Sequence, residues 1–174
     1  MVKNDKNQEY FFDKVIFANH ADEVLEICKS LPDKASQVLR NFKYQENLAI
    51  LHRDETQMPK RKTAWASWIY HKNHSDEKSC SVSYWMNLLQ KIDKNYPLFV
   101  TLNPLQEIAS EKIFAKFIYH HPIFDENAIK AQGQIGEIQG LEGFYYCGAY
   151  QANGFHEDGL NSAINVAKLF GVEF

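Results

Sequence analysis

Phe144-Tyr145-Tyr146-Cys147-Gly148-Ala149-Tyr150-Gln151-Ala152-Asn153-Gly154-Phe155-His156-Glu157-Asp158-Gly159-Leu160-Asn161-Ser162-Ala163 is the stretch on which the reading of this chain turns. Phe144 to Cys147 form a short apolar run, read as a buried strand. Gly148 to Gly159 reads as a loop holding three glycines, and Leu160, Ala163, Ile164, Ala167 and Phe170 repeat behind it at helical spacing. A strand that passes through a glycine turn into a helix leaves N–H groups free at the helix start. Such groups favour anionic or electron-rich ligand atoms. Gly148 has no Cβ, so a ligand can approach the main chain there. Ser162 and Ala163 are small enough for the helix to pack closely on a ligand or a sheet. An ordinary strand–loop–helix connection capped by Asp158 accounts for the same residues, and both readings stay open at this point.

Upstream, the period of the apolar residues divides the chain. Residues 10–18, with Tyr10, Phe11, Phe12 and then Val15, Ile16, Phe17 and Ala18, predict a buried strand. After a turn at Asn19-His20, Val24, Leu25, Cys28 and Leu31 follow at helical spacing up to Pro32. Ala35, Val38, Leu39 and Phe42 repeat the pattern behind a capping Asp33. From residue 44 the period becomes two. Strands are predicted over 46–53, 64–71, 79–86, 97–102 and 112–120, with a short helix from Asn87 to Ile92. The clearest strand sets Cys80, Val82, Tyr84 and Met86 on one face, with Ser81 and Ser83 on the other. Pro59, the polar stretch 72–78 and Asn103-Pro104 supply the breaks. Beyond residue 120, Asp125 can cap a helix carrying Ala128, Ala131, Ile135 and Ile138, which Gly133 and Gly136 weaken. The expected fold class is therefore α+β. A mainly antiparallel sheet, residues 44–120, is inserted between α/β segments 1–43 and 121–174, which pack together.

The stretch Cys147-Gly148-Ala149-Tyr150 through Gly154-Phe155-His156-Glu157-Asp158-Gly159-Leu160, with Ser162-Ala163, resembles the closing FAD-binding motif of flavin-containing amine oxidases. It is most similar to a bacterial branch described as predicted NAD/FAD-binding proteins. Val15-Ile16-Phe17-Ala18-Asn19-His20-Ala21-Asp22-Glu23 is similar to that branch too. So are Met58-Pro59 with Ala64-Trp65-Ala66-Ser67-Trp68, Val82-Ser83-Tyr84-Trp85-Met86-Asn87, and His121-Pro122-Ile123-Phe124-Asp125. The resemblance runs from about Phe12 to Gly171. It implies that 44–120 is a substrate domain and that the flanking segments belong to an FAD-binding domain. It implies cofactor contacts at Gly148, Ala149 and Tyr150, beside the ribityl and pyrophosphate. Phe155, His156, Glu157, Asp158 and Gly159 would face the flavin ring. Flavin accepts the hydride itself, so no catalytic base is named.

One feature of that family is missing. Such enzymes open with a strand and a G-x-G-x-x-G turn that cradles the pyrophosphate. Here Gly133, Gly136, Gly140 and Gly143 have another spacing and another context. The expectation is a carboxy-terminal part of the enzyme: either the gene is split or truncated, or another polypeptide supplies the dinucleotide-binding half. By itself it would bind FAD weakly or not at all, and an apolar surface left uncovered would favour self-association. The alternative expectation is a flavin-free remnant or interaction module.

Composition narrows the rest. A net charge of -3 argues against a general nucleic-acid partner. The basic run Lys60-Arg61-Lys62 reads as a solvated loop. Three cysteines, Cys28, Cys80 and Cys147, show no C-x-x-C spacing and fit a reduced, cytoplasmic protein. No run is long and apolar enough for a membrane span. The histidines show no zinc spacing: His71 and His74 lie across polar residues, and His120 and His121 point to opposite strand faces. Trp65, Trp68, Tyr70, Tyr84 and Trp85 gather aromatic rings on the middle strands. They serve either as sheet core or as the aromatic wall of a substrate cavity.

Overall fold

The computed structural model describes residues 1–72 and 80–173. The polar break expected over 72–78 therefore lies, after Lys72, outside the described residues, as does His74. The fold is mixed α/β with a mainly antiparallel five-stranded sheet. The chain divides into two compact units, Met1–Gln45 with the chain from His121 onward, and Glu46–His120.

The first unit opens with a small antiparallel hairpin, β1 (Val2–Lys3) on β2 (Glu9–Tyr10). β3 (Val15–Phe17) then pairs in parallel with β9 (Phe144–Tyr146), in the register Val15↔Phe144, Ile16↔Tyr145 and Phe17↔Tyr146. Around this pair stand α1 (Ala21–Ile27), α2 (Asp33–Leu39), α4 (Glu126–Gln132) and α5 (His156–Lys168). Alternation along the strands sends Phe17, Phe144 and Tyr146 to one face. There they join Val24, Val38, Leu39, Ile135 and Ile138 in one core. Phe17 stacks on Tyr146 at 5.7 Å between ring centres. Tyr44 helps close the core, its hydroxyl accepting from Ala21 N–H at 3.0 Å, and burial pushes its pKa up.

Several boundaries differ from the sequence reading. The expected strand over 10–18 is only β2 and β3, and Phe11 and Phe12 are exposed. Asp13 and Lys14 interrupt the apolar run, so its first part pairs with the amino-terminal hairpin. Pro32 does not merely stop a helix: it occupies the N-cap position of α2, and Asp33 is the first helical residue. Asp125 does cap α4, accepting from Ala128 N–H at 2.8 Å. That helix ends at Gly133, however, and Ile135–Glu137 continues as a separate 3-10 turn.

In the second unit the sheet order is β5-β6-β7-β4-β8, from β4 (Lys43–His52), β5 (Trp68–Lys72), β6 (Cys80–Trp85), β7 (Phe99–Leu102) and β8 (Ile113–Ile123). The ladders β5–β6, β6–β7 and β7–β4 are antiparallel. α3 (Met86–Leu89) leaves β6. The strand expected from residue 64 starts only at Trp68, because the Trp65 indole N–H donates to Pro59 O at 2.8 Å and anchors a turn.

The inward face of this sheet is unusually polar. His52, Ser83 and Thr101 are all fully buried. Asp54 N–H donates to His52 Nδ1 at 3.0 Å, so the ring proton sits on Nε2 and points to Thr101 Oγ1 at 2.8 Å. Thr101 Oγ1 lies 2.8 Å from Ser83 Oγ, and Ser81 donates to Leu102 O at 2.7 Å. Each of these four side chains thus has a partner, the condition on which such groups are tolerated in a core. Burial of Asp54 alone would raise its pKa, but the bonds from Lys112 at 2.9 Å and Thr56 N–H outweigh this and hold the carboxyl below its ordinary value.

Burial lowers the His52 pKa from 6.5 to about 4, and the Asp54 charge opposes this only in part. The unfolded chain takes up this proton below pH 6.5, whereas the folded chain takes it up only near pH 4. Stability should therefore fall as the pH drops through that window, by up to about 3 kcal/mol from this residue. Urea unfolding followed from pH 7 to pH 4 tests this. His52→Gln, which keeps a donor toward Thr101, should flatten that part of the profile; an unchanged slope would contradict it.

Candidate functional site at the start of helix α5

The decisive stretch folds as strand, turn and helix. Cys147 N–H continues the ladder, donating to Phe17 O at 2.9 Å. Ala149–Gln151 forms a 3-10 turn, and α5 begins at His156, with Phe155 in the N-cap position. The helix therefore starts earlier than the glycine pattern indicates, and Gly159 lies inside its first turn rather than in the loop. Gly154 does turn the chain, at φ +88°, a conformation that other residues resist.

Asp158 holds the helix start together. Its carboxylate accepts from Phe155 N–H at 2.9 Å and Asn153 N–H at 3.2 Å. The first intrahelical bond runs from Gly159 N–H to Phe155 O at 3.2 Å. The N–H groups of His156, Glu157 and Asp158 precede it and have no acceptor within the helix. Phe155 is 70% exposed, and His156 and Glu157 are also exposed. This end of α5 offers donors and the positive end of the helix dipole.

The glycine turn is built differently. Tyr150 is buried, and its ring packs edge-on against Phe42 at 4.8 Å. A Cβ on Gly148 would meet that ring at 2.5 Å. Gly148 N–H donates to Ser162 Oγ at 2.8 Å, and the Ser162 hydroxyl donates in turn to Gly159 O at 2.6 Å. Burial pushes the Tyr150 pKa up to about 12. Gly148 and Tyr150 are thus accounted for by packing, and the turn has no spare donor at Gly148. Gly159 brings α5 close to the turn, since a Cβ there would lie 3.7 Å from Ala149 N.

Beside the turn is a cleft of about 580 Å³ lined by Gln132, Gln139, Gln151, Asp158, Ser162 and Asn165, among others. Two of its amides close the outer edge of β9. Gln139 accepts from Tyr146 N–H at 2.9 Å and donates to Tyr146 O at 2.7 Å. Gln151 donates to the same oxygen at 2.9 Å, and Gly140 N–H takes Phe144 O at 2.8 Å. Glutamines seven and five residues from Tyr146 carry no periodic signal, and sequence reasoning missed their role.

The other candidates separate. Cys147 is buried, and burial raises its thiol pKa. Among the described residues, no group of three or more histidine, cysteine or acidic side chains comes together, and no helix is long and apolar enough to cross a membrane. Of the aromatic residues, Trp65 packs edge-on against Trp85 at 5.2 Å and Phe99 at 5.7 Å, inside the sheet unit. Trp68 and Tyr70 stand on the opposite, open face.

No protein-family model matches the chain, and no curated protein does. Among solved structures, its fold is similar to that of the CLA-producing fatty acid isomerase from P. acnes, with a TM-score of 0.56 over 92% of this chain and 10% sequence identity. The chain spans 42% of the length of that isomerase. At this identity the likeness is one of fold.

Judged against an FAD cofactor, the residues fit in part. The exposed start of α5, with the N–H groups of His156, Glu157 and Asp158, suits an electron-rich ring. The turn at Gly148 and Tyr150 is filled by this chain's own side chains.

Gly148→Ala should cost about 1–3 kcal/mol, because the Tyr150 ring must leave a packed position. Gly159→Ala meets only ordinary contacts and should stabilise the helix by up to about 1 kcal/mol. Urea midpoints of the two variants test this reading, and equal effects would contradict it.

Proposed function

We propose that this chain is the carboxy-terminal part of an FAD-dependent oxidoreductase of the amine oxidase type, contributing the substrate domain and the closing flavin contact. The observation that carries the proposal is the open, Asp158-braced start of α5 directly behind a parallel strand. There, unpaired N–H groups would stabilise negative charge as a flavin is reduced. When bound, FAD supplies the hydride acceptor, and this chain's residues hold and orient what faces it.

Two further observations support the reading. β3 and β9 make a two-stranded parallel sheet, an arrangement that usually occurs within larger sheets covered on both faces. Ile16, in the middle of β3, is half exposed. A separate polypeptide carrying the dinucleotide-binding half would cover such a surface. One solved structure of similar fold is a fatty acid isomerase, which lends support to a substrate with a hydrocarbon chain. A flavin-free interaction module is the second reading, favoured by the way Tyr150 fills the space at Gly148.

Co-expression with a polypeptide that bears a G-x-G-x-x-G half, encoded in an adjoining reading frame, tests the proposal. The complex should purify with bound flavin, and Glu157→Lys should shift the flavin spectrum or its reduction potential. A colourless complex, or a flavin complex indifferent to Glu157→Lys, would contradict it.

A further inference from the structure

We propose that the open face of the Glu46–His120 sheet binds the tail of a long-chain carboxylate, with Lys72 taking its head group. This names the substrate class of the oxidoreductase reading and rests on residues 46–120 being its substrate domain.

The argument starts from the register. Trp68 lies opposite Tyr84, Tyr70 opposite Val82, and Lys72 opposite Cys80. Val82 and Tyr84 in turn lie opposite Leu102 and Val100. Because side chains alternate along each strand, all of these share one face. The other face holds Ser81, Ser83, Thr101 and His52, which are buried and bonded to partners.

An antiparallel sheet with one wet face normally turns its apolar residues inward and its polar ones outward. Here a polar stripe runs inside beside Ile50, Trp85 and Phe99, while Trp68 at 59% and Tyr70 at 56% exposure stand on the open face. Val82, Tyr84, Val100 and Leu102 beside them are only partly covered. A contiguous apolar strip of this kind marks a binding surface. From Trp68 to Lys72 it runs four residue steps, roughly 14 Å at the usual strand rise.

Its charge selects the occupant. Along β5, β6 and β7 the strip carries no Asp or Glu, and its one cation, Lys72, stands at one end. Among the described residues of β5, β6 and β7, a cationic amine finds no counter-charge on this face. A carboxylate whose tail lies over Val82, Tyr70, Tyr84 and Trp68 finds the ammonium at the end of the strip.

Calorimetric titration of the purified chain with dodecanoate and with dodecylammonium, both below their aggregation concentrations, tests this. The two ligands share a tail and differ in head-group charge. Dodecanoate should bind saturably and about ten-fold or more tighter than dodecylammonium. Lys72→Glu should abolish or reverse that preference. Trp68→Ser with Tyr70→Ser should weaken both ligands by about ten-fold or more. All three positions are exposed, and circular dichroism would verify that the variants fold. Absence of saturable dodecanoate binding, or indifference of the preference to Lys72→Glu, would overturn the proposal. So would sedimentation showing that the strip is covered by a second copy of the chain, with dimerisation lost in the double variant. The titration involves no flavin, so failure of the flavin reading and failure of this one are separately visible.

Discussion

Tyr146 presents one N–H and one C=O to the outer side of β9, and the unit built on Met1–Gln45 and the chain from His121 depends on how they are satisfied. A parallel pair only three residues long is marginal by itself. Its inner face is secured by the core around Phe17, Phe144 and Tyr146. Its outer edge is secured by side chains: Gln139 answers both polar groups of Tyr146, and Gln151 adds a second donor to the carbonyl. Left buried and unpaired, each such group would cost about 1–3 kcal/mol. With the strand end fixed, Cys147 stays in the ladder and Gly148 reaches Ser162. The start of α5 is then held open beside the turn.

The sheet unit solves the opposite problem. Its buried face carries hydroxyls and an imidazole, which a core accepts only when each hands its hydrogen bond to the next. Asp54, His52, Thr101 and Ser83 do so in sequence. Hydrogen-bonding groups share the buried face with Ile50, Trp85 and Phe99, while Trp68, Tyr70 and Tyr84 of the same sheet stand on the open face. One alternation of side chains thus produces both the neutral buried histidine and the apolar strip.

The sequence reveals most where a single physical signal dominates. The period-two stretches gave the strands of the sheet unit, and Asp125 gave the cap of α4. The alternation around Ser81 and Ser83 separated the two faces correctly, although nothing in it showed that the serines would be the buried side. The aromatic run Tyr10-Phe11-Phe12 misled, because apolarity alone does not supply a strand partner. At the candidate site the glycines were visible but their reasons were not. Gly148 makes room for Tyr150, two residues on, and Gly159 sits within a helix turn. The closure of β9 by Gln139 depends on where a loop folds back, and no local pattern encodes it.

Residue-resolved hydrogen exchange at the Tyr146 amide, in the unaltered chain and in Gln139→Leu, measures that closure directly. Leucine keeps much of the volume and removes both bonds. If Gln139 stands in for a strand, Tyr146 N–H is protected in the unaltered chain. In the variant it should exchange about ten-fold or more faster, while the Thr101 amide of the sheet unit is unaffected. Equal protection of Tyr146 in both proteins would contradict the account.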